Sequence, residues 1–89
     1  MKWTINFDKY AFKSLSKIDK KERTKILNFL KVDLLSLESP RQKGKALQGK
    51  FKGLWRYRVG DYRIICNIID NELVVMVVEI EHRSRIYKQ

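Results

Sequence analysis

The dipeptide Gly60-Asp61 constrains this sequence more tightly than any other feature. It separates two runs of strand-forming residues, "LWRYRV" and "YRIICNII", and a Gly-X pair between such runs reads as a two-residue β-hairpin. A loop that short leaves a single register. Val59 then faces Tyr62, Arg58 faces Arg63, Tyr57 faces Ile64, Arg56 faces Ile65 and Trp55 faces Cys66. Directly opposed residues share a face of the sheet. Trp55, Tyr57, Val59, Tyr62, Ile64 and Cys66 therefore form one apolar side, and Arg56, Arg58 and Arg63 emerge together on the other.

The rest of the chain supplies the layer that covers the apolar side. "KWTINF" alternates Trp3, Ile5 and Phe7 with polar residues, the period of a strand with one buried face. Asp8 is placed to cap a first helix over 9–17, with Phe12 and Leu15 inward. Asp19 followed by Glu22 resembles a capping box that opens a second helix, from residue 20 to about 37. Leu27, Leu30, Leu34 and Leu37 give that helix an apolar stripe, and Ser39-Pro40 stops it. A basic, glycine-punctuated loop follows, with a short strand expected at 46–47, then strands at 54–59, 62–69 and 73–80. The order β-α-α-β-β-β predicts an α+β fold, a small antiparallel sheet with an N-terminal helical hairpin on one face. At 89 residues the chain reads as a single domain, 1–89.

The formal net charge is +10, a field that draws nucleic acid, acidic proteins or anionic membrane. Its distribution is uneven. Residues 41–63 carry eight Lys and Arg against one Asp, whereas residues 64–89 carry three against four acidic groups. Arg58 and Arg63 are expected as direct cross-strand neighbours, which is unfavourable for like charges. A bound phosphate reverses that sign, and the arginine fork suits its oxygens. A solvated basic face, or arginines paired with Glu79 and Glu81, is the alternative. Lys50 and Lys52 extend the basic patch toward the start of the strand.

One cysteine and one histidine exclude an internal disulfide and a Cys- or His-rich metal site. Cys66 falls on the core side as a small apolar filler. No apolar run approaches about 20 residues, so the expectation is a cytosolic chain that does not enter the membrane. His82, Arg83, Arg85 and Tyr87 follow the last strand. An even loop between the last two strands favours His82 on the face of Arg63, an odd one favours Arg83.

The run "KGKALQGKFKGLWRYRVGDYRIICNIID" followed by "VVEIEHRSRIY" resembles the RelE/ParE toxins of bacterial and archaeal toxin–antitoxin systems. The matching features are Leu47-x-Gly49, the R-x-R-x-G-x-Y-R spacing from Arg56 to Arg63, and His82-Arg83 followed by Tyr87. The resemblance implies a type II toxin that is a ribosome-dependent endoribonuclease (an mRNA interferase). Such toxins cleave message in the A site of a 70S-type ribosome by attack of the 2′-hydroxyl on the adjacent phosphate. They use no metal or other cofactor, and a cognate, RelB-like antitoxin silences them.

By the same resemblance Arg63 is the central phosphate-binding arginine. Arg56 and Arg58 stand where some members have functional lysines. Arg83 matches the arginine after the last strand, Tyr87 the terminal tyrosine and His82 a histidine carried by several relatives. Catalytic roles thus fall to Arg63, Arg83, His82, Tyr87 and Arg58, and RNA or phosphate binding to Arg56, Lys52, Lys50 and Arg85. Arginine does not give up its proton, which leaves His82, then Tyr87, as the acid/base groups. Glu81 replaces a common glycine and could pair with an arginine or act on His82. Two other functions fit the same features: a ParE-like inhibitor of DNA gyrase, and a non-catalytic RNA-binding module.

Overall fold

Asp8 ends the first strand and starts the first helix: its carboxylate accepts the Ala11 N–H at 2.8 Å, satisfying a donor that the helix itself leaves open. In the computed structural model, which describes residues 2–83, β1 (Thr4–Phe7) leads through this cap into α1 (Lys9–Lys17) and then α2 (Lys20–Asn28). Asp19 stands at the N-cap of α2 but its side chain makes no capping bond. Glu22 faces Lys25 instead, at 3.5 Å, so the capping box expected there is not formed.

The second helix continues past Asn28 through a wider π turn, Phe29–Asp33, and a 3-10 turn, Leu34–Ser36. Ile26, Leu30 and Leu34 are fully buried along it. Residues four apart overshoot one α-helical turn by about 40°, and the wider turn returns Leu30 and Leu34 to the face that Ile26 occupies. Leu27 and Leu37 lie at the margin of this core. In α1 the inward residues are Ala11 and Leu15, at i and i+4, while Phe12 is 63% exposed and points away from the core. The expected inward Phe12 is therefore corrected: the Ala11–Leu15–Ile18 side of the helix faces the sheet.

Ser39 and Pro40 do more than stop a helix. Ser39 and Gln42 form a capping box around the short turn Pro40–Gln42, and the Pro40 carbonyl accepts the Tyr57 hydroxyl at 2.5 Å inside the core. The chain then forms β2 (Lys45–Ala46), β3 (Trp55–Val59), β4 (Tyr62–Ile69) and β5 (Val74–His82). The sheet order is β1-β5-β4-β3-β2. Strands β2 to β5 are antiparallel, as expected, and β1 adds to β5 in parallel, with Ile5 beside Val75 and Phe7 beside Val77. The five-stranded sheet is thus mixed, because the helical hairpin carries the chain from β1 over one face before the antiparallel strands begin.

The β3–β4 register is the one that the two-residue loop demands, from Val59↔Tyr62 to Trp55↔Cys66. Gly60 sits at φ 58, the left-handed first position of such a turn. Tyr57, Ile64, Cys66, Val75, Val77 and Ile80 meet the helices in one core. Burial pushes the Cys66 thiol up to about 12, consistent with an inert filler.

Candidate functional site on the arginine face

Two rows of side chains cross the sheet on the face away from the helices. Arg58 opposes Arg63, and Arg63 opposes Glu81. In the neighbouring row Lys45 opposes Arg56, Arg56 opposes Ile65, and Ile65 opposes Glu79. Ile65 is buried although it lies outside the core cluster. An apolar floor under charged side chains lowers the local dielectric and strengthens each charge above it.

Arg63 and Glu81 approach at 3.4 Å, with 23% and 20% of their side chains exposed. That contact uses one terminal nitrogen of Arg63. Its Nε, and the Nε of Arg56, are buried and have no acceptor among the described residues. Both guanidinium groups therefore retain directed donors next to the Arg58–Arg63 pair. Glu79 is held above the usual carboxylate range by burial first, and then by its hydrogen bond with Glu81 and the charge of that neighbour. Glu79 therefore resists ionisation.

His82 is not part of this arrangement. It opposes Tyr62, on the side of the sheet that faces the helices, with the two rings edge to face at 5.0 Å. There it lines a cavity of about 210 Å³ with Ser14, Lys17, Ile18, Tyr62 and Ile80. The loop between β4 and β5, residues 70–73, is even, and by itself it would place His82 with Arg63. A bulge reverses the outcome. Cys66 pairs with Val77 but Ile65 pairs with Glu79, so Val78 is an extra residue. From that point on every β5 side chain changes face. Ile80 enters the core over Ile64, Glu79 and Glu81 join the arginines, and the expectation of His82 beside Arg63 is corrected.

Beyond the end of β5 the Arg83 N–H extends the ladder to the Asp61 carbonyl at 2.7 Å. Lys50 and Lys52 lie in and after the turn Gly49–Phe51, at the end of β3 away from Arg58, and Lys50 sits 5.3 Å from the Phe51 ring centre. Arg85 and Tyr87 lie outside the described residues. Sequence reasoning missed Lys45 as a neighbour of Arg56. The alternative that pairs the arginines with Glu79 and Glu81 is met in part: both residues reach this face, and Glu81 pairs with Arg63. Among the described residues no helix is long and apolar enough to cross a membrane.

Residues 5–87 match the family described as the ParE toxin of type II toxin–antitoxin system, parDE. The chain is 28% identical over 89 residues, the full length of both proteins, to Toxin RelG of Mycobacterium tuberculosis (strain ATCC 25618 / H37Rv). Its fold superposes on the RelBE2 toxin–antitoxin complex of Mycobacterium tuberculosis with a TM-score of 0.82 at 27% identity, covering 91% of this chain and 98% of the other. An archaeal RelE–RelB complex from Pyrococcus horikoshii OT3 gives a TM-score of 0.72 at 30% identity, covering 96% and 99%.

Proposed function

This chain belongs to the ParE toxin family of type II toxin–antitoxin systems, within the RelE/ParE superfamily, and from that premise we propose that it is a RelE-type endoribonuclease acting on messenger RNA in the ribosomal A site. The observation that carries the reading is the Arg58–Arg63 pair on the helix-free face, flanked by Arg56. Like charges held side by side over a buried floor favour a bound polyanion over an empty surface.

In the proposed reaction an RNA phosphate lies against Arg63, Arg58 and Arg56. The 2′-hydroxyl attacks that phosphate, the bond to the 5′ oxygen breaks, and a 2′,3′-cyclic phosphate remains. The arginines neutralise charge that builds on the phosphate oxygens, where each such donor is worth roughly 10²–10³-fold in rate. Arg83, Arg85 and Tyr87 would complete the RNA contacts from the C-terminal segment, and Lys45, Lys50 and Lys52 would steer the backbone. The ribosome supplies the in-line geometry that a small open site does not. On this reading the chain works in the cytoplasm, where the ribosomes are. Solved relatives are toxin–antitoxin complexes, which supports a RelB-like antitoxin as the silencing partner.

The match to the ParE family favours a second reading, inhibition of DNA gyrase. One experiment separates the two. Purified chain is added to ribosomes translating a defined message, and separately to gyrase supercoiling a plasmid. Primer extension should show cuts within A-site codons. Intact message together with blocked supercoiling would replace the nuclease reading with the gyrase one.

A further inference from the structure

A reaction of this kind needs a group to take the 2′-hydroxyl proton, and among the described residues the arginine face offers few. Arg56, Arg58 and Arg63 stay protonated at any working pH. His82 is on the opposite side of the sheet, against Tyr62. Lys45 stands in the other row, beside Arg56 on the short edge strand β2. Among the described residues Glu81 alone combines three features. It is directly opposite Arg63, its carboxylate is 3.4 Å from the Arg63 guanidinium, and it is partly but not fully shielded from water.

We infer that Glu81 is the general base of this chain, placed to take the 2′-hydroxyl proton from a ribose whose 3′-phosphate rests on Arg63. The inference depends on the ribonuclease reading above. An arginine bound to the phosphate and to the base at once fixes the distance between the two, which is what proton transfer in the transition state requires. Glu79, two residues before Glu81 on the same face, lies opposite Ile65 in the neighbouring row and is held above the usual carboxylate range by its partial burial and by Glu81. The step balances. The 2′-oxygen forms its bond to phosphorus as its proton passes to Glu81. The bond from phosphorus to the 5′ oxygen breaks, that oxygen takes a proton from water, and Glu81 returns its proton to solvent.

Single-turnover cleavage of message on programmed ribosomes tests this. Glu81→Gln, checked for an unchanged melting curve and unchanged ribosome binding, should cleave about 10²-fold or more slowly than the parent chain. Glu81→Asp should retain more activity than Glu81→Gln. Glu81→Ala should recover rate in added formate, which a purely structural role for the side chain would not produce. A parent chain that cuts, with Glu81→Gln cutting within about threefold of it or faster, overturns this inference and leaves the ribonuclease reading standing. A parent chain that does not cut overturns both.

Discussion

Arg63 and Glu81 face each other across β4 and β5, guanidinium to carboxylate at 3.4 Å, while Arg58 flanks Arg63 on its other side. One carboxylate thus stands against a like-charged pair. The row is compensated in part, and the buried Nε of Arg63 has no hydrogen-bond partner among the described residues. Four expected outcomes follow from this row and the scaffold beneath it.

Arg63→Ala removes the centre of the row. Cleavage of ribosome-bound message should fall about 10²–10³-fold, and growth arrest on induction should disappear. Arg63 takes no part in the core cluster, so the circular-dichroism melting temperature should move little. A folded variant that still arrests growth would remove Arg63 from the site.

His82→Ala tests the effect of the bulge. On the helix side His82 packs edge to face on Tyr62, a contact worth about 0.5–1.5 kcal/mol. The variant should therefore melt earlier while keeping its cleavage rate within a few-fold of the parent. A large loss of rate in a fully folded His82→Ala protein would return the histidine to the chemistry.

Gly44→Ala should be among the most damaging changes outside the core. Gly44 is at φ 81, and an added Cβ would lie 2.4 Å from the Arg56 carbonyl, 2.6 Å from the Trp55 ring nitrogen and 2.8 Å from the Tyr57 ring. The left-handed backbone alone costs roughly 1–2 kcal/mol with a side chain. The clash adds to it, because the Trp55 indole N–H is fixed to the Lys43 carbonyl at 2.7 Å. A drop in melting temperature of about 10 °C or more is expected.

Glu79→Gln addresses pH. The folded protein holds Glu79 above its ordinary value of 4.5, through burial and the nearby Glu81 and Asp8, with Arg63 acting the other way. Folding therefore favours proton uptake at this position. The contribution is fully present below the unfolded value and fades as pH rises through the raised folded one. Tyr10, Lys13 and Lys17 of α1 line the same groove as Glu79. The glutamine variant should gain stability relative to the parent from mildly acidic to neutral pH, and the two should converge in acid. Paired denaturant titrations at pH 4 and pH 7.5 (about the lower and upper ends of the window) check the sign.

Much of the scaffold is legible in the residues. Asp8 at the N-cap, the nine-residue α1 and the span of β4 follow from local chemistry, because capping, helix period and strand alternation act over a few positions. The failures were also physical. Phe12 is apolar but lies outside the Ala11–Leu15 face, and a large side chain outweighed a small one in the reading. Asp19 has the residue type of a cap without its hydrogen bond. The parallel pairing of β1 with β5 joins residues about 70 positions apart, and the alternation of β1 carries no direction.

The candidate site divides along the same line. Sequence by itself determined that Arg56, Arg58 and Arg63 share a face, since a two-residue turn admits one pairing and side chains alternate strictly along a strand. Only the tertiary structure decided what stands beside them. The bulge at Val78 is set by the core, which takes Val75 and Val77 before it and Ile80 after it. Burying those three against helices distant in sequence costs one unpaired residue in β5. That one residue puts Glu81 with the arginines and His82 with Tyr62.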